Sequence, residues 1–80
     1  MSKKIRSKGW RAADAYGDQV VFRVGDKVRV RDIGGEAVIA GVDELSREFE
    51  EPVRNIWVKF LSGDREGEED YFWSFNLTKV

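Results

Sequence analysis

The nine residues FRVGDKVRV, from Phe22 to Val30, decide the fold. Along them and into the flanking residues, hydrophobic and basic side chains alternate with the period of two that is typical of a strand buried on one face. The hydrophobic set is Val20, Phe22, Val24, Val28 and Val30, and the basic set is Arg23, Lys27, Arg29 and Arg31. The alternation is interrupted at VGDKV, so we expect this strand to bend or split at Gly25.

Four further segments of β character follow this strand. The residues DIGG (32–35) predict a turn, because glycine reaches positive φ freely and aspartate can bond to the turn backbone. The segment EAVIAGV (36–42) is then the returning strand of a hairpin. In VRNIWVKFL (53–61) large side chains occupy both faces, which predicts a central strand. DYFWSF (70–75) and the short closing segment NLTKV complete the set.

Five short strands joined by tight turns predict an all-β fold, a small five-stranded antiparallel SH3-like barrel over residues 19–80, since closure hides sheet edges. Residues 1–18 show no sustained period and are expected to form a flexible basic arm, in which Trp10 and Tyr16 could flank one short turn of helix. DELSREFEEP (43–52) is the expected long loop, because it does not alternate and ends in proline.

The alternation also predicts which side chains form the core. The expected buried face comprises Val28, Val30, Val38, Ile56, Val58 and Phe60. The lysines and arginines between them are expected to face solvent.

Several of these motifs resemble a known group of folds. FRVGDKVRV, a turn with two glycines, the strand WVKF and the closing FNLTKV are similar to SH3-like barrels of the KOW and Tudor type. Within that group the chain resembles the YodC-like family of small, functionally uncharacterised bacterial proteins. The matching positions are Gly25, Asp26, Val28, Gly34, Gly35, Phe60 and Leu77. The resemblance covers roughly residues 22–80 and implies a barrel but no activity.

The sequence also departs from that family's pattern. Arg31 and Asp32, followed by an additional Ile33, stand where the family has Lys-Ser, and Glu36 replaces a proline. The basic arm and the 43–52 loop are additional to the pattern.

Composition narrows the function classes. The chain has no cysteine and no histidine, which removes the usual zinc ligands, thiol catalysis and the usual general base near neutral pH. In DREGEED (64–70) the glycine comes too early for a calcium-binding loop of the EF-hand kind. We therefore expect no catalytic residue, cofactor or metal site. With no hydrophobic run long enough for a membrane span or a signal peptide, we expect a soluble, cytoplasmic protein.

The aromatic candidates for partner binding are Trp57, Tyr71, Phe72 and Trp73. The last three belong to EEDYFWSF (68–75), where alternation would place one set of rings in the core and leave the other at the surface. Which set is buried stays open at this point. A Tudor-like aromatic cage for a methylated side chain would also need rings in the first hairpin loop, and RDIGGE (31–36) has none.

The basic residues provide a second set of candidates, for nucleic-acid binding. Lys3, Lys4, Arg6 and Lys8 lie in the arm, and Arg23, Lys27, Arg29 and Arg31 would form a stripe on the first strand. Up to Arg11 the chain carries five bases and no acid, whereas the remainder has nine bases and all fifteen acids. An acidic body disfavours an anionic polymer. We therefore expect a non-catalytic protein-interaction or accessory module, with a nucleic-acid-binding barrel of KOW or Tudor type as the alternative.

Overall fold

The computed structural model describes residues 9–42 and 56–80, and over these ranges the chain is all-β. Two antiparallel strands come first, β1 (Trp10–Ala13) and β2 (Gln19–Phe22). The main strands are β3 (Lys27–Val30), β4 (Ala37–Val42), β5 (Ile56–Phe60), β6 (Glu69–Phe72) and β7 (Leu77–Lys79), and a 3₁₀ helix (Ser74–Asn76) precedes the last of them. The expected long loop at 43–52 lies outside the described residues.

The main strands form a five-stranded antiparallel sheet in the order β6-β5-β4-β3-β7. Strands β3 to β6 follow one another as a meander, and β7 returns to pair with β3. The WVKF strand, predicted to be central, is an inner strand, since β5 lies between β4 and β6, whereas the middle strand of the five is β4. The two outer strands of this sheet, β6 and β7, do not pair with each other in the described residues, so the sheet is not closed.

The interruption at Gly25 is confirmed as a split between two sheets. Gly25 has a φ of 97°, the amide of Asp26 donates to the carbonyl of Arg23 (3.0 Å), and the Asp26 carboxylate accepts from the Arg23 amide (2.9 Å). This turn separates β2, in the two-stranded sheet, from β3, in the five-stranded sheet.

The assignment of all of residues 1–18 to a flexible arm is wrong for its second half. Trp10–Ala13 form β1, paired with β2 from Trp10 opposite Phe22 to Ala13 opposite Gln19. Trp10 packs against the core, so the expected helical turn is replaced by a strand, while Tyr16 is exposed. The expectation for residues 1–8 lies outside the described residues.

The hairpin of β1 and β2 is attached to the main sheet by polar contacts. The amide of Ala15 donates to the carbonyl of Leu77 (2.9 Å), and the guanidinium of Arg31 donates to the carbonyl of Ala15 (3.1 Å). Lys79 donates to the carbonyl of Val21 (2.7 Å) and forms an ion pair with Asp26 (3.2 Å). The turn of the hairpin therefore contacts Leu77 and Arg31, and β2 contacts Lys79 near the end of β7.

The core lies on one side of the five-stranded sheet. Its buried members are Phe22, Val28, Val30, Ala37, Ile39, Val42, Ile56, Val58, Phe60, Phe72 and Leu77. All of the predicted core is confirmed except Val38, which lies on the other face between Lys27 and Lys59. Ala37 and Ile39 are buried instead, because the side chains of successive strand residues point to opposite faces.

The buried carboxylate of Asp14 organises the β1–β2 turn. Its Oδ1 accepts hydrogen bonds from the amides of Tyr16 (2.9 Å) and Asp18 (3.0 Å), and Gly17 adopts a φ of 87°. We expect Asp14→Ala to lower the free energy of unfolding by about 1–2 kcal/mol, because two amides lose their acceptor. Asp14→Asn keeps an acceptor oxygen and should lose less, as measured by urea denaturation.

The control for this turn is Asp18→Ala, which removes an exposed carboxylate and leaves the Asp18 amide in place. It is expected to change stability little. Equal losses for Asp14→Ala and Asp18→Ala would contradict the role given to the Asp14 side chain.

Candidate functional site

A stacked pair of aromatic side chains lies on the face of the sheet that points away from the core. Trp57 on β5 is directly opposite Tyr71 on β6, and their rings are 6.2 Å apart with an angle of 23° between their planes. Both side chains are only partly buried. Trp57 Nε1 donates to Glu69 Oε1 (3.0 Å), so the indole is held by both a ring contact and a hydrogen bond.

The four aromatic candidates do not form one surface. Phe72 is part of the core, where its ring and the Phe60 ring are nearly perpendicular and their centroids are 6.0 Å apart. The role proposed for Phe72 as a surface anchor is therefore wrong. Trp73 makes a different contact, with the ring of Phe75 at 5.1 Å beside the 3₁₀ helix. Trp57 and Tyr71 are therefore the candidates that strand pairing brings together.

The four basic residues of the FRVGDKVRV segment do not form one stripe. Lys27 and Arg29 are exposed on β3, but Arg29 forms an ion pair with Glu36 at 3.5 Å. Arg23 lies in the turn before β3, and Arg31 lies after it with its guanidinium bonded to Ala15. The split at Gly25 is the reason, since a stripe needs one continuous strand. The arm candidates Lys3, Lys4, Arg6 and Lys8 lie outside the described residues.

Strand register creates a different basic row. Lys27 on β3 pairs with Val38 on β4, Val38 pairs with Lys59 on β5, and Lys59 pairs with Glu69 on β6. Lys59 also follows Trp57 by two residues and shares its face. We call this side of the sheet, with Lys27, Val38, Trp57, Lys59, Glu69 and Tyr71, the outer face. Sequence reasoning missed Lys59 and Val38; the alternation Trp57-Lys59 was the available signal.

The acidic turn between β5 and β6 is organised by one arginine. Arg65 donates to Glu68 (2.7 Å) and to Asp70 (3.2 Å), and its guanidinium lies 4.9 Å from the centre of the Phe60 ring. The hydrogen bond with Glu68, assisted by Asp70, raises the pKa of Arg65 above its ordinary value. Two of the five acids in DREGEED therefore have a structural partner in the same turn.

Within residues 9–42 and 56–80, no group of three or more carboxylates, histidines or cysteines is placed to hold a metal ion. The same part of the chain contains no helix long and apolar enough to cross a membrane.

Comparison with known proteins gives no relative from which a function could be transferred. No protein-family model, no curated protein and no solved structure matches this chain.

Proposed function

We propose that the chain is a non-catalytic SH3-like barrel that acts as a protein-interaction or accessory module in the cytoplasm, with Trp57 as its main contact. The observation that carries this proposal is the stacked, partly exposed Trp57–Tyr71 pair on the outer face. The core is filled from the other face, so packing of the core does not require these two rings on the outside. Tryptophan and tyrosine are enriched among the residues that dominate binding energy at protein interfaces.

The connectivity supports the barrel part of the proposal. Five short antiparallel strands, of which the last returns to pair with the first, are compatible with the small antiparallel barrel that the sequence resembles. The residues that carry the family resemblance also have structural roles. Gly25 and Asp26 form the turn before β3, and Val28, Phe60 and Leu77 are almost completely buried. These positions account for a fold and not for an activity.

The placement of the carboxylates supports a non-catalytic role. Asp14 and Asp26 accept hydrogen bonds from turn amides, and Glu69 holds the Trp57 indole. Glu68 and Asp70 bind Arg65. Each of these carboxylates has a structural task that accounts for its position.

Truncation of Trp57 tests the proposed contact. In affinity capture from cells that make the protein, Trp57→Ala is expected to lose the captured protein, a loss of about 2 kcal/mol or more at a central contact. Phe75→Ala is the matched control, because it removes an exposed aromatic ring that is not on the outer face. Capture should persist after nuclease treatment. Equal losses for the two variants, or capture that nuclease abolishes, would contradict the proposal.

The alternative, a nucleic-acid-binding barrel of KOW or Tudor type, is favoured by one observation. Lys27 and Lys59 flank Val38 on the same face as Trp57, which places positive charge beside a ring available for base stacking. Such binding would weaken steeply with salt, because neutralised phosphates release counterions. Fluorescence anisotropy with labelled single- and double-stranded DNA and RNA, at low and physiological salt, distinguishes it from the preferred function.

A further inference from the structure

The outer face carries two positively charged lysines near the Trp57 ring. Lys27 and Lys59 lie on either side of Val38, so their Cα atoms are two strand spacings, about 10 Å, apart. Both side chains are exposed. Within residues 9–42 and 56–80, neither ammonium group forms an ion pair.

The other charges on this side of the sheet already have partners. Arg29 and Glu36 form an ion pair with each other, and Glu69 accepts the hydrogen bond from Trp57. An approaching partner would therefore meet two lysines that have no ion-pair partner among the described residues, an apolar valine between them and an indole next to Lys59.

The indole is held in place before any partner arrives. Its nitrogen is bonded to Glu69 and one side of the ring system is stacked near Tyr71. A rigid aromatic surface loses little conformational freedom on binding, which favours affinity.

We infer that the outer face binds an acidic peptide segment of a partner protein, an inference that rests on the proposed function. Alternate residues of an extended segment project to the same side, so carboxylates two or four residues apart are separated by roughly 7 or 13 Å. The long, flexible side chains of Lys27 and Lys59, whose Cα atoms are about 10 Å apart, can reach either spacing. An apolar side chain of the same segment packs on Trp57. The lysines supply charge complementarity, which steers association and suppresses basic partners.

The same pattern favours a peptide over a nucleic acid. The row of positive charge is two lysines long, and the next residue in register, on β6, is Glu69. A phosphate backbone that followed the row beyond Lys59 would meet this carboxylate. An acidic peptide needs only two carboxylates that project from the same side of the segment.

Random dodecapeptides displayed on phage and selected against the full-length protein test the inference. We expect the enriched peptides to carry net negative charge together with an aromatic or aliphatic residue. For an enriched peptide that is then synthesised and labelled, Lys27→Glu and Lys59→Glu should each weaken binding about tenfold or more. Arg11→Glu is the matched control: it changes the net charge equally but lies on β1, in the other sheet, and should leave binding unchanged.

Each other outcome has a defined meaning. Enriched peptides that depend on Trp57 but are neutral or basic would overturn the inference and leave the proposed function standing. Absence of any peptide whose binding is lost in Trp57→Ala would overturn both the inference and the proposed function. Should circular dichroism show that Trp57→Ala does not fold, Trp57→Phe takes its place in this test. Salt-sensitive binding of single-stranded RNA that is lost in Lys59→Glu would replace the acidic peptide by a nucleic acid.

Discussion

Phe60→Ala is expected to lower the free energy of unfolding by about 3–5 kcal/mol. Phe60 is 1% exposed on the inner strand β5, and its ring contacts both the Phe72 ring and the Arg65 guanidinium. Truncation removes buried apolar area, leaves a cavity and releases the arginine that organises the acidic turn. Small domains have total stabilities of about 5–15 kcal/mol, so this loss is a large share of the total.

The neighbouring residue provides the control for this prediction. Leu61→Ala removes a hydrophobic side chain that is 42% exposed and is expected to cost well under half as much. Both free energies come from urea denaturation with linear extrapolation. If the two variants lost equal stability, the assignment of the buried face would be wrong.

Gly35→Ala should have the second largest effect, about 3 kcal/mol. Gly35 has a φ of 91°, and a Cβ there would collide with the backbone carbonyl of Ser62 and approach Gly63 Cα to 2.9 Å. The turn before β4, which contains Gly35, is also hydrogen-bonded to the turn after β5, which contains Ser62. The Glu36 amide donates to Ser62 Oγ (3.1 Å), and the Leu61 amide donates to the Glu36 carbonyl (2.7 Å). The backbone cannot retreat without breaking these bonds.

Substitutions at two other glycines distinguish the two causes of the lost stability, the positive φ and the collision of the new Cβ. At Gly34, φ is not positive and a Cβ would meet nothing within 4 Å, so Gly34→Ala should change stability by no more than about 0.5 kcal/mol. Gly67 has a φ of 88° and open space, so Gly67→Ala should lose about 1 kcal/mol from backbone strain alone. Thermal unfolding would contradict the account if Gly35→Ala and Gly34→Ala melted together.

The alternation of residue types was sufficient to predict much of the sheet. Val28 and Val30 alternate with charged residues, and each proved buried as expected. The alternation gave the wrong face for Val38. EAVIAGV has apolar residues at successive positions, and β4 contains no charged residue that would identify its solvent-facing side. Only the pairing of Val38 with Lys27 and Lys59 shows its face.

The N-terminal hairpin was missed for a different reason. The residues DAYGD (14–18) contain an aspartate followed three residues later by a glycine, which is turn chemistry between WRAA and QVVF. WRAA has only four residues, and its apolar and polar side chains do not alternate, so the segment did not predict a strand. This segment is a strand because it pairs with β2, and that pairing cannot be read from the segment's own sequence.

The candidate site was only partly predictable, because it depends on contacts between distant segments. Trp57 and Tyr71 were recognised individually from their residue type, but their stacking follows from the β5–β6 register. The row of Lys27, Val38 and Lys59 joins three strands and has no signature within any one of them. Conversely, the predicted stripe required Arg23 and Arg31 to share a strand with Lys27, and the turns at both ends of β3 prevent this.

Site-specific photocrosslinking in cells tests most directly whether a protein partner binds the outer face at Trp57. A photoreactive phenylalanine analogue placed at Val38 lies on the outer face and leaves both lysines in place, and the same analogue placed at Arg11 lies on the other sheet. We expect a protein crosslink from position 38 that survives nuclease treatment, disappears in Trp57→Ala and is not obtained from position 11. Crosslinks to nucleic acid from position 38, or the same protein crosslinked equally from both positions, would contradict binding of a protein partner at Trp57.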